Sequence, residues 1–369
     1  MKKFAALLLT AALTTAVFTG CGASTSTDGT AADTKTDTKT DSAQADDASA
    51  DTDAAAETSD GSEEPITLKV SFTTGMTGAV NSFAIEKGFY KDLGIEFEQV
   101  SRPDYNELLS LISRGEIDIA DGDPSTFIPA IYNGVPAKMV GNLWRYAGCY
   151  WLIANNDIKD FSDLKGKTIG SCAASGGLRL SVLKMLEANG ISEDEVTLVA
   201  NGKHQTAYAT LTSGEVDATI IHNPYAALAE AEGTGHILGR AWDYIPDYYT
   251  GTIVASDRII KEEPEKLQRF LNAYYEVHEK VKNEYFDEFI TWLAQQMDVS
   301  EDVMRKAVED EIDVWSDYPV IPEDRVEKTV EYLKEYGWLD ENVQAEGTYT
   351  NEFAEKAVET LGLTDPAEK

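Results

Sequence analysis

The chain has 369 residues and a formal net charge of −34 at pH 7, because 65 Asp and Glu residues outnumber 31 Lys and Arg residues. A surface this acidic repels nucleic acid and anionic membrane faces, so neither is expected as a partner. The three cysteines (Cys21, Cys149 and Cys172) form no disulfide framework and the four histidines have no metal-ligand spacing, so neither a metal nor a cofactor is predicted.

The first residues have the features of a bacterial export signal. Two lysines precede an apolar run over residues 4–17, which is too short to span a bilayer as a mature helix. Residues 17–21 read Val-Phe-Thr-Gly-Cys and resemble the lipobox of bacterial lipoproteins, with Phe18 where the family usually has Leu. The resemblance implies that residues 1–20 are a signal peptide and that Cys21 carries the lipid. The alternative is an ordinary signal peptide with an incidental cysteine.

Residues 21–64 are predicted to be a disordered linker. After Cys21 the stretch consists almost entirely of Gly, Ala, Ser, Thr and Asp, with twelve acidic residues against Lys35 and Lys39. Such a segment buries too little apolar surface to offset its chain entropy, and its net charge of −10 extends it by self-repulsion. Its position between the lipid site and the folded region favours a spacer over the alternative, an acidic interaction tail.

From Ile66 onward, short apolar strands alternate with helical patterns, which is typical of α/β architecture. In the first series, Leu108, Leu109 and Ile112 recur at helical spacing, and Gly115 suits the end of that helix. The predicted strands are Ile66–Phe72, Ile95–Val100, Ile117–Ala120 and Ala137–Gly141, and the predicted helices are Val80–Lys87, Tyr105–Ser113 and Ser125–Asn133.

A second series repeats this organisation. Residues 113–118 (Ser-Arg-Gly-Glu-Ile-Asp) resemble residues 213–217 (Ser-Gly-Glu-Val-Asp), and the Asp-Pro step at 123–124 has a counterpart in the Asn-Pro step at 223–224. The echo predicts two similar lobes, and the alternative is a chance resemblance between common helix–turn–strand units. The predicted strands are Thr168–Ser171, Val196–Val199 and Val216–Ile221, and the predicted helices are Gly176–Asn189, His204–Ser213 and Pro224–Glu232.

After Gly251 one more strand, Ile253–Ala255, is predicted, and the chain then becomes mainly helical, with Pro264 suited to a first helical turn. Helices that return to pack on the first lobe require the chain to cross between the lobes twice. The predicted domain organisation is therefore residues 65–152 as the first part of lobe 1, residues 153–250 as lobe 2, and residues 251–369 as the return to lobe 1 with C-terminal helices.

Three stretches together resemble the solute-binding proteins of ABC transporters for sulfonates, taurine, nitrate and thiamine-pyrimidine precursors. They are GEIDIADGDPSTFIPAI (115–131), DLKGKTIGSCAASGGLRLSVLKMLEANGIS (163–192) and SGEVDATIIHNPYAALAE (213–230), and the similarity extends in order over nearly all of residues 66–290. It implies a two-lobed periplasmic-binding-protein fold of type 2, in which two crossover strands join the lobes and the ligand lies in the cleft. It also implies an ABC permease and its ATPase as partners, and we expect a monomer held outside the cytoplasm by the lipid at Cys21.

Ligands of open α/β sheets bind beyond the carboxyl ends of the strands, and four segments of this chain meet that condition. The candidate ligand-binding residues, in these segments and in the first crossover, are Thr73, Thr74, Asp121, Asp123, Ser125, Arg145, Ser175, Gly176, Asn223 and Tyr225. Gly176 opens a helix whose N–H groups suit an anion or a carbonyl, whereas Asp121 and Asp123 suit a cation or a hydrogen-bond donor. The structural alternative is that Ser175 and the two aspartates only cap helices.

The chemistry of the ligand stays open at this point. The family often has Trp followed by an acid where this chain has His222 and Asn223, so the substrate does not carry over directly. Arg145 suits an anion, or it balances surface acids. Aromatic residues near both expected crossovers favour a small organic solute over nitrate, although the lobe cores account for part of them. They are Trp144, Tyr146, Tyr150, Trp151, Trp242, Tyr244, Tyr248 and Tyr249.

The leading functional hypothesis is a receptor that binds a small solute and delivers it to a permease. An enzyme on the same scaffold is the alternative, because some members of the family synthesise the thiamine pyrimidine. Those members carry a cysteine-rich iron-binding segment that this sequence lacks, and the sequence contains no nucleophile elbow, phosphate loop or Ser-His-Asp arrangement. We therefore predict that the protein is not an enzyme. A sensory subunit without transport is a further alternative.

Overall fold

The computed structural model describes residues 64–365, with gaps at residues 102–103, 144–147 and 317. The predicted signal peptide, Cys21, nearly all of the acidic linker and Arg145 therefore lie outside the described residues. Within the part that is described, we find no helix that is both long and apolar enough to cross a membrane.

The strands of the described region form two five-stranded sheets. In chain order they are β1 (Ile66–Ser71), β2 (Ile95–Gln99), β3 (Ile119–Gly122), β4 (Ala137–Asn142), β5 (Trp151–Ala154), β6 (Thr168–Gly170), β7 (Thr197–Val199), β8 (Ala218–Ile221), β9 (His236–Arg240) and β10 (Thr252–Ser256). The strand order is β2-β1-β3-β10-β4 in the first sheet, which defines lobe 1, and β7-β6-β8-β5-β9 in the second, which defines lobe 2. In each sheet one strand, β10 or β5, runs antiparallel to both of its neighbours.

Helices cover both faces of each sheet, as α/β patterns require. In chain order they are α1 (Ala79–Lys87), α2 (Phe89–Asp92), α3 (Tyr105–Ser113), α4 (Pro124–Tyr132), α5 (Gly177–Ala188), α6 (Gln205–Thr212), α7 (Tyr225–Glu232), α8 (Asp257–Glu262), α9 (Pro264–Glu284), α10 (Phe286–Met297), α11 (Glu301–Glu309), α12 (Glu323–Glu335) and α13 (Glu352–Leu361). On lobe 1, helices α1, α9 and α10 share one core with the sheet, and α3, α4 and α12 share the other. On lobe 2, α5 lies in one core, and α6 and α7 lie in the opposite one.

Strand β5 is apolar throughout because both of its faces are buried. Trp151 and Ile153 face the core that contains α6 and α7, whereas Leu152 and Ala154 face the core that contains α5. A strand buried on both sides lacks the alternation of apolar and polar residues that marks a half-exposed strand. The sequence analysis consequently did not predict β5, and it also missed β9, which contains a glycine.

The repeated Gly-Glu-(Ile/Val)-Asp stretch makes the same contact in both lobes. The Asp118 carboxylate accepts a hydrogen bond from the backbone N–H of Lys69 in β1, and the Asp217 carboxylate accepts one from the N–H of Thr168 in β6, both at 2.9 Å. The backbone N–H of each aspartate in turn donates to the carbonyl of the same strand residue at 2.8 Å. The turn therefore aligns the next strand, β3 or β8, beside β1 or β6.

The chain crosses between the lobes twice, through residues 143–150 and through residues 241–251. The two crossing segments are hydrogen-bonded to each other, because the backbone N–H of Ala241 donates to the carbonyl of Tyr150 at 2.9 Å. Strand β5 follows the first crossing directly and β10 follows the second, so each crossing segment is held in a sheet at both ends. The crossings are therefore short and anchored.

The C-terminal part of the chain contacts lobe 2 as well as lobe 1. The Trp151 side chain donates through Nε1 to the Glu311 carboxylate at 3.1 Å, and both side chains are buried. Lys184 in α5 forms an ion pair with Glu335 in α12 at 2.8 Å. Since α12 packs on the lobe 1 sheet, the Lys184–Glu335 ion pair joins the two lobes away from the crossings, whereas the Trp151 contact lies next to the first crossing.

Replacing Trp151 by Phe should cost more stability than the same change at Trp292. The indole N–H of Trp292 donates to the exposed Glu86 carboxylate at 2.8 Å, whereas that of Trp151 donates to the buried Glu311. A buried acceptor that loses its donor costs about 1–3 kcal/mol, so W151F should lose about that much more free energy of unfolding than W292F in urea denaturation. Equal losses in the two variants would show that Glu311 does not depend on this donor.

Candidate ligand-binding cleft

A cavity of about 590 Å³ lies between the two lobes. Its lining comes from the loops after β1, β2 and β3 of lobe 1 and from the loops after β6, β7 and β8 of lobe 2. Both crossing segments and the end of α12 with the residues after it also contribute. Each of these strand loops begins at the carboxyl end of a parallel strand, which is where α/β sheets bind their ligands. The volume is within the roughly 300–1,000 Å³ that is typical of small-molecule sites.

The loop after β1 places three threonines, Thr73, Thr74 and Thr77, on the lobe 1 wall. Asp121 in β3 is buried behind this loop, and its carboxylate accepts hydrogen bonds from the backbone N–H of Thr73 at 2.7 Å and from the Thr73 hydroxyl at 3.0 Å. The sequence analysis placed Asp121 among the residues that contact the ligand. The structure corrects this, because Asp121 does not line the cavity and instead holds Thr73 in position.

Asp123 and Ser125 extend the lobe 1 wall at the start of α4. Asp123 is the N-cap residue, and its Oδ1 accepts hydrogen bonds from the backbone N–H of Ser125 at 2.9 Å and from the Tyr248 hydroxyl at 3.4 Å. Burial raises the pKa of Asp123, because the charged form loses solvation, and the Ser125 N–H and the charge of Lys203 act against that rise. Asp123 therefore caps a helix and presents a partly desolvated carboxyl group to the cavity.

The lobe 2 wall contains the N-terminus of α5. Ser175 and Gly176 line the cavity, and no side chain caps this helix, so the N–H groups of its first turn are not taken by a cap. A methyl group on Gly177 would lie 2.9 Å from the Tyr248 ring and 3.1 Å from the Tyr150 hydroxyl. Glycine at this position therefore lets two tyrosines approach the end of the helix.

Three basic residues of lobe 2 also line the cavity, and the sequence analysis did not select them. Lys203 and His204 follow β7, and His222 follows β8. The rings of His204 and His222 lie 5.3 Å apart between centroids, and Tyr150 packs edge-on against His222 at 5.0 Å. His204 has a φ of 50°, which is uncommon for a residue with a Cβ. The strand-end rule that selected Ser175 would have found Lys203 and His204 if it had been applied to β7.

Asn223 and Tyr225 do not line the cavity, contrary to the sequence prediction. The Asn223 side chain is buried and donates to the carbonyl of Ala307 in α11 at 2.9 Å. The Tyr225 ring packs against Tyr208 at 5.7 Å between centroids, beside the core of α6 and α7. Strand β8 ends at Ile221 and the chain turns at Asn223 into α7, so His222 faces the cleft while the Asn223 side chain is directed to α11.

The aromatic residues near the crossings divide between the cavity and the lobe cores. Tyr150 lines the cavity, together with Tyr105 of lobe 1 and Trp338, which follows α12. Trp151 and Trp242 instead pack edge to face at 4.9 Å in the core of lobe 2. The cavity therefore has flat apolar surfaces at several points of a mainly polar wall.

Cys149 and Cys172 line the cavity, and neither forms a disulfide in the described part of the chain. Burial raises the pKa of Cys172, with the charge of Lys203 acting in the opposite direction, so this thiol stays protonated at neutral pH. Across the described residues, no group of three His, Cys, Asp or Glu side chains is placed to hold a metal ion. The lining is therefore suited to hydrogen bonding, charge pairing and stacking.

Replacing Asp123 by Asn should stabilise the ligand-free protein at neutral pH. Burial raises the folded-state pKa of Asp123 above its ordinary value of 3.8, so its ionisation disfavours folding, and this cost appears as the pH rises through the folded-state pKa. Asn is an equally good N-cap residue, so the helix keeps its cap. We expect a higher Tm for D123N than for the wild type at pH 7, in thermal unfolding followed by circular dichroism.

The gain from D123N should shrink as the pH falls toward 3.8, where both side chains are neutral. The control is D194N, which makes the same substitution at an exposed position of lobe 2. A D123N variant that is less stable than the wild type at pH 7 would contradict the assignment of a desolvated carboxyl group.

The sequence pattern of the family described as "NMT1/THI5 like" matches residues 79–283. The chain belongs to the NMT1/THI5-like family. The matched stretch runs from the start of α1 almost to the end of α9, and it contains all of lobe 2 and most of the cavity lining. The family resemblance found in the sequence is thereby confirmed.

Two relatives match most of the chain at low identity. The riboflavin-binding protein RibY of Chloroflexus aurantiacus is 24% identical over 79% of this chain and 86% of its own length. The 4-amino-5-hydroxymethyl-2-methylpyrimidine phosphate synthase of Aspergillus parasiticus is 23% identical over 77% of this chain and 85% of its own length. A protein named for binding and a protein named as a synthase are thus nearly equally similar to this chain.

Two solved structures have the same fold. The periplasmic aliphatic sulphonate binding protein SsuA of Escherichia coli matches with a TM-score of 0.64 and 18% identity, over 78% of this chain and 93% of that one. The ligand binding component of an ABC-type import system from Staphylococcus aureus matches with a TM-score of 0.64 and 15% identity, over 79% of this chain and 98% of that one. At identities this low, the matches show the fold alone. They confirm the predicted two-lobed, periplasmic-binding-protein-like α/β fold.

Proposed function

We propose that this protein is the extracytoplasmic solute receptor of an ABC importer, which holds a small organic solute between its lobes and delivers it to a permease with its ATPase. The observation that carries the proposal is the cavity, because polar groups of both lobes face one space at the ends of the parallel strands. RibY and SsuA, which are named as binding proteins, and the import component of S. aureus support it.

Ligand binding would close the cleft. A solute that contacts Thr73 on lobe 1 and Ser175 on lobe 2 makes both contacts only when the lobes are together, so binding shifts the hinge equilibrium toward the closed form. The crossings at residues 143–150 and 241–251 supply the hinge, and the permease would recognise the closed arrangement. The predicted residues that we propose to contact the solute are Thr73, Thr74, Asp123, Ser125, Ser175 and Gly176, with Asp121 positioning Thr73.

The aromatic lining favours an organic solute over an inorganic anion. Tyr105, Tyr150 and Trp338 come from lobe 1, the first crossing and the segment after α12, so flat surfaces reach the cavity from three directions. Stacking on such rings adds roughly 0.5–1.5 kcal/mol per pair beyond the burial of area. Nitrate would leave these surfaces without a partner.

An enzyme is the second candidate, because the relative from A. parasiticus is a synthase. The cavity favours binding over catalysis. Burial raises the pKa of Cys172 and keeps its thiol protonated, whereas the nucleophilic form of a cysteine is the thiolate. The only other cysteines of the sequence are Cys21 and Cys149, so a cysteine-rich iron-binding segment is missing. We infer that the protein is not an enzyme.

We also propose that Cys21 carries a lipid and that residues 22–64 act as a tether for a monomeric receptor. The support is the apolar leader that ends in the lipobox-like residues 17–21, and the acidic composition of the stretch that follows. A receptor that serves a membrane permease benefits from being held near it, because a tether raises its effective concentration at the membrane.

A ligand of the cleft should stabilise and compact the protein. In a thermal-shift screen of sulfonates, taurine, nitrate, pyrimidines and flavins, a solute at a hundredfold excess over its Kd should add about 2.7 kcal/mol to the free energy of unfolding. Small-angle X-ray scattering should then show a smaller radius of gyration for the bound protein. A solute that binds without compaction would contradict closure of the lobes.

The matched variants for this experiment are S175A and S213A. Ser175 lines the cavity, whereas Ser213 is exposed on the same lobe outside the lining. The loss of one hydrogen bond to the solute should weaken binding by roughly 2- to 10-fold in S175A and leave S213A unchanged. Unchanged affinity in S175A would remove the start of α5 from the binding site.

Lipid attachment predicts that Cys21→Ser abolishes metabolic labelling by a palmitate analogue. Cys149→Ser should remain labelled, because Cys149 is buried in the folded region and serves as the matched control. Labelling would be measured in a bacterial host by gel fluorescence, with Western blotting for the amount of protein. A labelled C21S variant would show that the lipid, if present, is attached elsewhere.

A further inference from the structure

We propose that the solute is dipolar, with a cationic ammonium end held by Asp123 on lobe 1 and an anionic sulfonate or carboxylate end held by Lys203, His204 and His222 on lobe 2. The proposal rests on the receptor function given above and specifies the class of solute. It assigns binding roles to three basic residues for which the sequence carries no recognised motif.

The charges of the cavity wall are separated by lobe. Among the described lining residues, the carboxylates are Asp104 and Asp123, and both belong to lobe 1. The basic side chains in the same lining are Lys203, His204 and His222, and all three belong to lobe 2. A solute that spans the cleft therefore meets opposite charges at its two ends.

Asp123 has an oxygen to offer to a cation. Its carboxylate accepts hydrogen bonds from the backbone N–H and side chain of Ser125 and from the Tyr248 hydroxyl. Since a carboxylate has about four acceptor positions, it can accept a further donor from a ligand. Thr73 and Thr74 place further oxygens on the same wall. An ammonium group needs several acceptors around it, and this wall supplies a carboxylate together with hydroxyl groups.

Lys203 is the charged counterpart on lobe 2. The described residues contain no ion pair or hydrogen bond to its ammonium group, although acidic residues outnumber basic ones by 65 to 31 in the sequence. Its charge acts on Asp123 and on Cys172, so it faces the interior of the cleft. The rings of His204 and His222 lie side by side next to it, with His204 held at its uncommon φ of 50°. An outlier of this kind at a cleft is typical of a functional constraint.

A solute with a single charge fits this cavity less well than a dipolar one. An anion alone would face Asp123 and Asp104 without neutralising them, and a cation alone would face Lys203. Charge pairs in a partly desolvated site are much stronger than in bulk water, so both mismatches reduce affinity. The aromatic rings of Tyr105 and Tyr150 suit a flat group between the two ends.

Three compounds that share one ring test the proposal. They are 4-(aminomethyl)benzenesulfonate, which is dipolar, benzenesulfonate, which lacks the amine, and benzylamine, which lacks the sulfonate. In isothermal titration calorimetry on the purified full-length chain at pH 7, the dipolar compound should bind at least about tenfold more tightly than either of the others. A single-charge compound that binds as tightly as the dipolar one overturns the proposal.

Two variants assign the ends of the compound to the lobes. K203M should lose affinity for the dipolar compound and for benzenesulfonate, but not for benzylamine. D123N should lose affinity for the dipolar compound and for benzylamine, but not for benzenesulfonate. K165M is the matched control, because Lys165 is paired with Glu195 on the surface of lobe 2, outside the lining, and it should bind all three compounds as the wild type does. The reverse pattern, or no effect of K203M on the sulfonates, overturns the proposal.

The receptor function is judged separately. If none of the three compounds binds but another solute of the thermal-shift screen compacts the protein, the dipolar assignment fails and the receptor function stands. If no solute of that screen binds or compacts the protein, both fail.

Discussion

Each lobe contains one strand that the chain delivers directly from the other lobe. Strand β5 enters lobe 2 from lobe 1 and is hydrogen-bonded between β8 and β9, and β10 enters lobe 1 from lobe 2 and is hydrogen-bonded between β3 and β4. Both crossing segments are therefore anchored in a sheet at each end. The loops at the strand ends of the two lobes line one cleft.

Several energetically unfavourable features are concentrated at that cleft. Asp123 is desolvated, His204 has a positive φ, and Gly177 is approached so closely by two tyrosines that a side chain would not fit. Deviations from local preferences that collect in one place are typical of a binding site, where the rest of the fold supplies the stability that holds them.

The C-terminal helices complete the receptor. Helix α12 packs on the lobe 1 sheet, contacts α5 of lobe 2 through the Lys184–Glu335 ion pair, and leads to Trp338 at the cavity. The Trp151–Glu311 hydrogen bond joins the lobes at another position. These contacts therefore join the two lobes in addition to the two crossing segments.

The order of strands and helices, the two similar lobes and the family were predictable from the sequence, because they depend on local signals. Apolar periodicity, glycines at helix ends and the repeated Gly-Glu-(Ile/Val)-Asp turn act over a few residues, and the Asp118 and Asp217 contacts show what that repeat encodes. Ser175 and Thr73, which line the cavity, were selected in the same way, because a strand end followed by small polar residues is a local pattern.

Tertiary structure decided which polar residues reach the cavity. Asp121 lies in β3, and Asn223 and Tyr225 follow β8, so all three are near strand ends. However, the Asp121 carboxylate accepts a hydrogen bond from Thr73, and the Asn223 side chain donates to α11. The Tyr225 ring packs beside the lobe 2 core. Lys203 and Trp338 lie in segments without a motif. Both line the cavity only because the two lobes and the returning helix α12 enclose it. The direction of a side chain and its long-range partners depend on packing between distant segments, and a single sequence contains no local signal for either.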